Sequence, residues 1–292
     1  MSNTIRLRAF AKVNLSLNIT GRDEVRGMHT LDSVMMSVDA FDTVTVTPRE
    51  DSDIRVKFIG ADSVPAENNT AHKAAKAVQD IIGGNGFDIT VEKGIPIGAG
   101  LGGSSADGAA VLRALDVLYR LPERGVDMRS VALSVGSDVP FMLTGGLARV
   151  TGFGEQLFFI ENKLKLFIVG LMGGSVSTAA AYKKFDELYT GFSHCPTDNE
   201  KLCDLLLDGD PKAIEHMGNA LYEPAACLSP EIKSNAELLA SYGGAVCLTG
   251  SGGMTLGYFT DMQKFYDCYV ALKTRGCRVF APVRTGVLHE RV

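Results

Sequence analysis

The stretch that most limits what this chain can fold into is PIGAGLGGSSADGAAVLRAL, residues 96–115. Gly98, Gly100, Gly102 and Gly103 crowd together, and Ser104 and Ser105 follow at once. Behind them Val111, Ala114, Leu115 and Leu118 recur on one face and Arg113, Asp116 and Arg120 on the other, which predicts a helix from Ser104 to about Tyr119. Glycines let main-chain N–H groups converge, and a helix N-terminus adds the positive end of its dipole at the same place. Such a loop attracts anions and is expected to hold phosphate. A glycine-rich connection capped by a serine is the bland alternative.

Two familiar phosphate loops do not fit. Gly98-Ala99-Gly100-Leu101-Gly102-Gly103 matches the spacing G-x-G-x-x-G, but a dinucleotide fold needs an apolar parallel strand that ends directly at the first glycine. Here FDITVEK alternates as a half-exposed strand does, and Lys93, Gly94 and Pro96 intervene. The acidic ribose anchor due about 20 positions later would fall near Glu123, in the turn-like LPERG. No Gly-Lys-Ser/Thr follows, which excludes the Walker loop.

Upstream, IRLRAF, VNLSLNI, TVTVTP and IRVKFI read as strands of a half-exposed antiparallel sheet. A turn is expected at PAENN (65–69), then a helix over TAHKAAKAVQDII capped by Asn69 or Thr70. A short helix, MRSVALSV, leads to GSDVPFML. Composition shifts at GFGEQ and ENK, and the boundary is placed there, with domains of 1–155 and 156–292. The second half reads as strand KLFIVGLM, helices TAAAYKKFDELY, EKLCDLLL, PKAIEHMG and EIKSNAELLASY, two strands about the glycine turn in AVCLTGSGGMTLGYF, helix KFYDCYVALKTRG and strand CRVFAPV. The fold class is α+β.

With 292 residues, 46% of them hydrophobic, the chain can bury a large core. A net charge of -5 argues against broad binding to nucleic acid or an anionic membrane and for small-molecule partners. No run of 18 apolar residues occurs, and none follows the basic residues near the N-terminus, so a cytoplasmic, unsecreted protein is expected. The six cysteines lie in the second half without zinc spacing and are expected to be reduced, buried small side chains. Oligomeric state and metal ligands are not legible.

Pro-x-x-x-Gly-Leu-Gly-Gly-Ser-Ser resembles the phosphate loop of the GHMP small-molecule kinases, although Ser104 replaces a glycine of its commonest form. Phe10-Ala11-Lys12-Val13-Asn14-Leu15-x-Leu17, Gly136-Ser137-Asp138-Val139-Pro140-Phe141 and Leu248-Thr249-Gly250-Ser251-Gly252-Gly253 are similar to motifs of the branch acting on a cytidine-diphosphate-linked methylerythritol. Their order and spacing agree across most of the chain.

The resemblance implies the GHMP kinase fold, with a ribosomal-S5-like N-terminal domain, an α/β C-terminal domain and a site in the cleft between them. It implies ATP-dependent phosphorylation of the acceptor's 2-hydroxyl in non-mevalonate isoprenoid synthesis, with Mg²⁺ accompanying ATP. Pro96, Ile97, Gly98, Ala99, Gly100, Leu101, Gly102, Gly103, Ser104, Ser105 and Ala106 would bind the nucleotide. Asp138 would be the base, and Lys12 beside it would steady the transferring group. Read from their neighbours alone, Asp138 is a turn aspartate and Lys12 a solvent-facing lysine. On β alternation, Lys12, Asn14, Ser16 and Asn18 share one face and Val13, Leu15 and Leu17 the other.

The substrate residues implied are Asn14, Met28, His29, Thr178, Tyr182, Gly250, Ser251 and Gly252. In the family a Gly-Tyr-His segment binds cytosine. Here Met28 replaces the tyrosine, Arg26 replaces an aspartate, and the loop before Gly27 is one residue longer. Tyr182 is either a remaining stacking ring or a core aromatic, and Gly250–Gly253 either a ligand loop or a plain hairpin turn. Two further readings are a kinase of the superfamily with a non-cytidylyl alcohol or sugar as acceptor, and a silent nucleotide-binding regulator.

Overall fold

The computed structural model describes residues 4–62, 65 and 69–289. Residues 66–68 of the expected PAENN turn lie outside the described residues. IRLRAF and VNLSLNI form one strand, β1 (Ile5–Asp23), paired antiparallel with β2 (Met28–Pro48) from Ile5 opposite Val46 to Asp23 opposite Met28. Register shifts between Phe10 and Ala11, Asn14 and Ser16, and Ile19 and Gly21 break the ladder locally, which lets so long a ribbon bend.

The outer half of β2 pairs with β4 (Phe87–Glu92), beside which β3 (Ile54–Ile59) runs parallel. Its inner half pairs with β5 (Leu147–Gly152), which turns back into β6 (Gln156–Phe159). The short β8 (Gly218–Asn219) and β12 (Val287–His289) both pair with β1. Helix α1 (Thr70–Ile82) starts behind Asn69, whose side chain accepts the His72 N–H, as the sequence predicts. Helix α2 (Gly103–Tyr119) begins one residue before the expected start, with Gly102 as N-cap. α3 (Met128–Val135) and α4 (Val139–Thr144) follow. Small buried residues, among them Ala71, Ala74 and Ala75 of α1 and Ala106, Ala109 and Ala110 of α2, let these helices lie close to each other and to the sheet.

A second antiparallel sheet has the order β11 (Arg278–Phe280), β7 (Phe167–Met172), β10 (Met254–Phe259), β9 (Ala245–Leu248). Helices α8 (Pro230–Ser241) and α9 (Met262–Leu272) pack on it, α7 (Tyr222–Leu228) joins α8 to α5 (Thr178–Leu188), and α6 (Asn199–Asp208) packs on β2 of the first sheet. The segment PKAIEHMG, expected to be an α-helix, makes only a 3-10 helix over Pro211–His216. The boundary expected at 155/156 falls inside the β5–β6 hairpin: the chain leaves the first sheet after Phe159 and enters the second at Phe167.

The expected half-exposed sheet is corrected along β1. Lys12, Asn14, Ser16 and Asn18 alternate with apolar residues as predicted, yet all four are buried. Alternation reports polar against apolar; here the polar residues are covered, Asn14 and Asn18 finding partners in the second half of the chain and Lys12 and Ser16 finding theirs within β1 and β2. Asn14 N–H donates to Thr249 Oγ1 at 3.3 Å, Tyr258 Oη donates to Asn14 O at 2.8 Å, and Asn18 Nδ2 donates to Thr197 O at 2.8 Å. One apolar cluster runs through both sheets, joining Leu7, Val13 and Leu15 to Met254, Leu256 and Tyr258.

The cysteines are all unpaired, but only Cys247 and Cys268 are buried, while Cys195 and Cys227 are exposed. Among the described residues no helix is long and apolar enough to cross a membrane.

Candidate active site

The glycine loop joins β4 to α2. Gly98, Gly100 and Gly102 take φ of +71°, +75° and +72°, and the intervening Ala99 and Leu101 are buried. Alternating a left-handed residue with an ordinary one turns successive N–H groups toward one side and forms an anion-binding concavity. Pro96 to Ser105 border a pocket of about 470 Å³. Ala106 does not border it; one turn into α2 it faces the core instead.

The loop is locked from beneath. A Cβ on Gly100 would lie 2.1 Å from Thr249 O, and one on Gly253 would lie 1.8 Å from Gly98 O. The glycine turn between β9 and β10 therefore rests on the phosphate loop, backbone against backbone, which only glycine at these positions permits. Lys12 N–H donates to Leu101 O at 2.9 Å and Thr249 Oγ1 to Gly100 O at 3.2 Å. The alternative of a plain hairpin turn at Gly250–Gly253 misses this contact. Gly250 and Ser251 reach the neighbouring cleft, whereas Gly252 is packed behind them, its Cβ position 3.1 Å from Val176 Cβ.

That cleft, about 680 Å³, shares Gly100 and Gly102 with the loop pocket and brings together Lys12, Asn14, Met28, His29, Asp138, Thr178 and Tyr182. Asp138 is the N-cap residue of α4 but makes no side-chain capping bond. A turn aspartate would normally accept one of the helix's first N–H groups. Here Oδ2 lies 4.0 Å from Lys12 Nζ and the side chain keeps 30% of its surface open to the cleft. Lys12 is not a solvent-facing lysine: it is buried and donates to Asn14 Oδ1 at 2.6 Å. Burial pushes its ammonium below the usual lysine range, and Asp138 pulls it partly back. Asn14 also accepts Gly250 N–H at 2.8 Å and donates to Ser33 Oγ at 2.8 Å, so its orientation is fixed.

On the far side, His29 Nε2 donates to Asp186 Oδ1 at 2.7 Å and Arg22 Nη1 donates to Asp186 Oδ2 at 3.2 Å. With a carboxylate as partner Nε2 is the donating nitrogen, and in the neutral ring Nδ1 is then an acceptor. Tyr182 stacks on His29 with centroids 4.9 Å apart and planes inclined by 27°. It also packs against the cluster of Leu17, Ile19 and Phe185, as the core-aromatic reading expects, and the ring it stacks on is His29. Burial, followed by the Asp138 charge, pushes its phenol up to about 12. The two rings lie on each other, and a base cannot slip between them as they stand. Thr178 Oγ1 and Ser251 Oγ, 2.8 Å apart, close the cleft's edge.

Sequence reasoning missed Asp186, Phe153 and a buried ionic group beneath the loop. Lys93 Nζ contacts Asp42 Oδ2 and donates to Asp107 Oδ2 at 2.9 Å, while Asp42 Oδ1 accepts the N–H groups of Gly94 and Ile95 at 2.7 and 2.8 Å. Burial opposes the Lys93 charge, but the two carboxylates outweigh it and raise its pKa. Burial likewise pushes the Asp107 carboxyl well above the usual range, against the pull of Lys93 and with the push of Asp42. Lys93 and Asp107 flank the glycines in sequence, which was an available signal; Asp42 had none. No group of three or more His, Cys, Asp or Glu able to hold a metal occurs among the described residues.

A family model described as the GHMP kinases N terminal domain matches residues 69–146. The 4-diphosphocytidyl-2-C-methyl-D-erythritol kinase of Chlorobium phaeobacteroides is 36% identical over 265 residues, covering 89% of this chain and 90% of the relative. That of Desulfitobacterium hafniense is 37% identical over 260 residues, 87% of each chain. A crystal structure of 4-(cytidine 5'-diphospho)-2C-methyl-D-erythritol kinase superposes with a TM-score of 0.76 at 29% identity, over 95% of this chain and 99% of that one. Homoserine kinase from Cytophaga hutchinsonii, at 19% identity and a TM-score of 0.79, shares the fold.

Proposed function

Because the chain belongs to the 4-diphosphocytidyl-2-C-methyl-D-erythritol kinase family of GHMP kinases, we propose a division of labour within its cleft that accounts for the family's reaction. The chain has the GHMP kinase fold and is an ATP-dependent small-molecule kinase that phosphorylates the cytidylylated methylerythritol of non-mevalonate isoprenoid synthesis. Residues 96–105 hold the triphosphate of ATP, and the acceptor lies in the cleft that carries Asp138, Lys12 and His29. The 2-hydroxyl is the nucleophile. Asp138 takes its proton as the oxygen bonds to the γ-phosphorus and the bond to the β-phosphate oxygen breaks. Lys12 faces that carboxylate and meets the charge of the γ-phosphoryl group, while the loop amides take up charge on the bridging side.

The observation that carries this reading is the uncapped Asp138 carboxylate, 4.0 Å from the buried Lys12 and within reach of the glycine loop through Gly102. A Cβ on Gly102 would lie 3.1 Å from Lys12 Cγ, so the loop and the lysine are in direct contact. For the base of the acceptor, His29 Nδ1 is an acceptor matched to an exocyclic amine such as that of cytosine. The Ser104 and Ser105 hydroxyls at the loop pocket are hard oxygen donors that would, with the nucleotide's phosphates, hold Mg²⁺. When bound, it would neutralise charge on the β- and γ-phosphates. The cytoplasm is the compartment we assign.

The test is Asp138→Asn. Turnover should fall by about 10²–10⁴ with little change in ATP affinity, the usual effect of losing a positioned base. An unaltered rate removes Asp138 from the mechanism.

A further inference from the structure

The segment Gly152-Phe153-Gly154-Glu155, where the composition shifts, is a closed turn between β5 and β6, with Thr151 opposite Gln156. Gly152 and Gly154 take φ of +73° and +109°, and Glu155 Oε2 accepts the Phe153 N–H at 2.6 Å. A Cβ on Gly154 would lie 2.6 Å from Ser137 O, so the tip of the turn rests on the residue next to Asp138. The Phe153 ring borders the acceptor cleft together with Met28, His29 and Tyr182.

One face of that ring is already taken. The guanidinium carbon of Arg26 lies 4.8 Å from the ring centroid, and Asp23 Oδ1 holds the Arg26 N–H at 2.9 Å. Arg26 is thus a strut between the β1–β2 connection and the β5–β6 turn, with an attraction between cation and ring. His29 and Tyr182 are closed on each other, and Met28, 47% exposed, offers a soft and mobile surface. We propose that Phe153 is the specificity-determining ring that packs flat against the nucleobase of the acceptor, backed by Arg26. The inference rests on the acceptor carrying cytidine. It gives Arg26 a role: the flat surface comes from the β5–β6 turn, and the arginine supports it.

The experiment measures cytidine 5'-diphosphate binding by calorimetry, and steady-state kinetics with both substrates, for the intact protein and for Phe153→Ala, Phe153→Trp and Arg26→Ala. Phe153→Ala should weaken cytidine 5'-diphosphate binding and raise the acceptor KM by about tenfold, the order expected of one base–ring stack, with kcat and the KM for ATP nearly unchanged. Phe153→Trp should retain binding, and Arg26→Ala should lose about two- to threefold, the smaller effect of an exposed cation–ring contact. A fall in kcat with an unchanged acceptor KM would show that the residue acts only through the Ser137 contact and overturns the proposal. Equal binding by Phe153→Ala and the unaltered protein also overturns it while leaving the cytidylyl acceptor intact. Failure of the unaltered protein to bind the cytidine nucleotide sinks the acceptor assignment itself, and the inference with it.

Discussion

The two sides of the cleft that we assign to phosphate and to the base meet at Gly100 and Gly102, yet they are built in opposite ways. The phosphate side is fixed by main chain: positive φ at three glycines, backbone contacts from Thr249 and Gly253, and strand β1 bonded to Leu101. The base side is fixed by side chains from separate elements, with Asp186 on α5, His29 on β2 and Arg22 on β1 joined by two hydrogen bonds. Backbone can recognise what every nucleoside triphosphate shares, a chain of anionic oxygens. Discriminating one acceptor from another needs individual polar and flat surfaces, which side chains supply. The two sides therefore tolerate change differently.

The largest expected effect lies on the phosphate side. Gly100→Ala should cost roughly 3 kcal/mol, combining the left-handed backbone penalty with an overlap on Thr249 O that cannot relax cheaply. It should appear as a lowered Tm and a KM for ATP raised by about tenfold or more. A variant with wild-type Tm and ATP affinity would mean the loop is not locked as described. On the base side, Asp186→Asn should be milder, raising the acceptor KM by about tenfold while kcat stays within about threefold, because a charged hydrogen bond to His29 is weakened far from the reacting oxygen. Equal losses in kcat and kcat/KM would place His29 in the transition state. The smallest effect is a displacement in pH. Since burial lowers the Lys12 pKa, an ammonium needed for turnover is present below that pKa and lost as pH rises through it, so the alkaline limb of kcat/KM should lie below 10.5. Lys12→Arg, which stays charged, should move that limb upward even if it lowers the plateau. A limb unmoved by the substitution would assign it to another group.

Legibility followed the same division. Helix α1 with its Asn69 cap and the strands about Gly250–Gly253 were readable because periodicity and capping are local. The inner half of β2 was not, since its Met35, Met36 and Val38 lie in a strand covered on both faces and give no clean alternation. The GFGE turn read as a domain edge because nothing near it in sequence reveals Ser137 or Arg26 as its neighbours. Asp42 was silent for the same reason: its partners Lys93 and Asp107 come from β4's end and from α2.

The sequence by itself determined the family and singled out the glycine loop and the residues offered as base and cation, because each depends on residue type at short spacing. Only the tertiary structure decided that β1's polar face is interior, that Asp138 leaves its helix uncapped to face Lys12, and that Phe153 and Asp186 belong to the cleft. The physical reason is that partners more than a hundred positions away meet the polar residues, Asn14 being bonded to Thr249, Gly250 and Tyr258 and Asn18 to Thr197. Which partner arrives depends on how the two sheets pack across one continuous core.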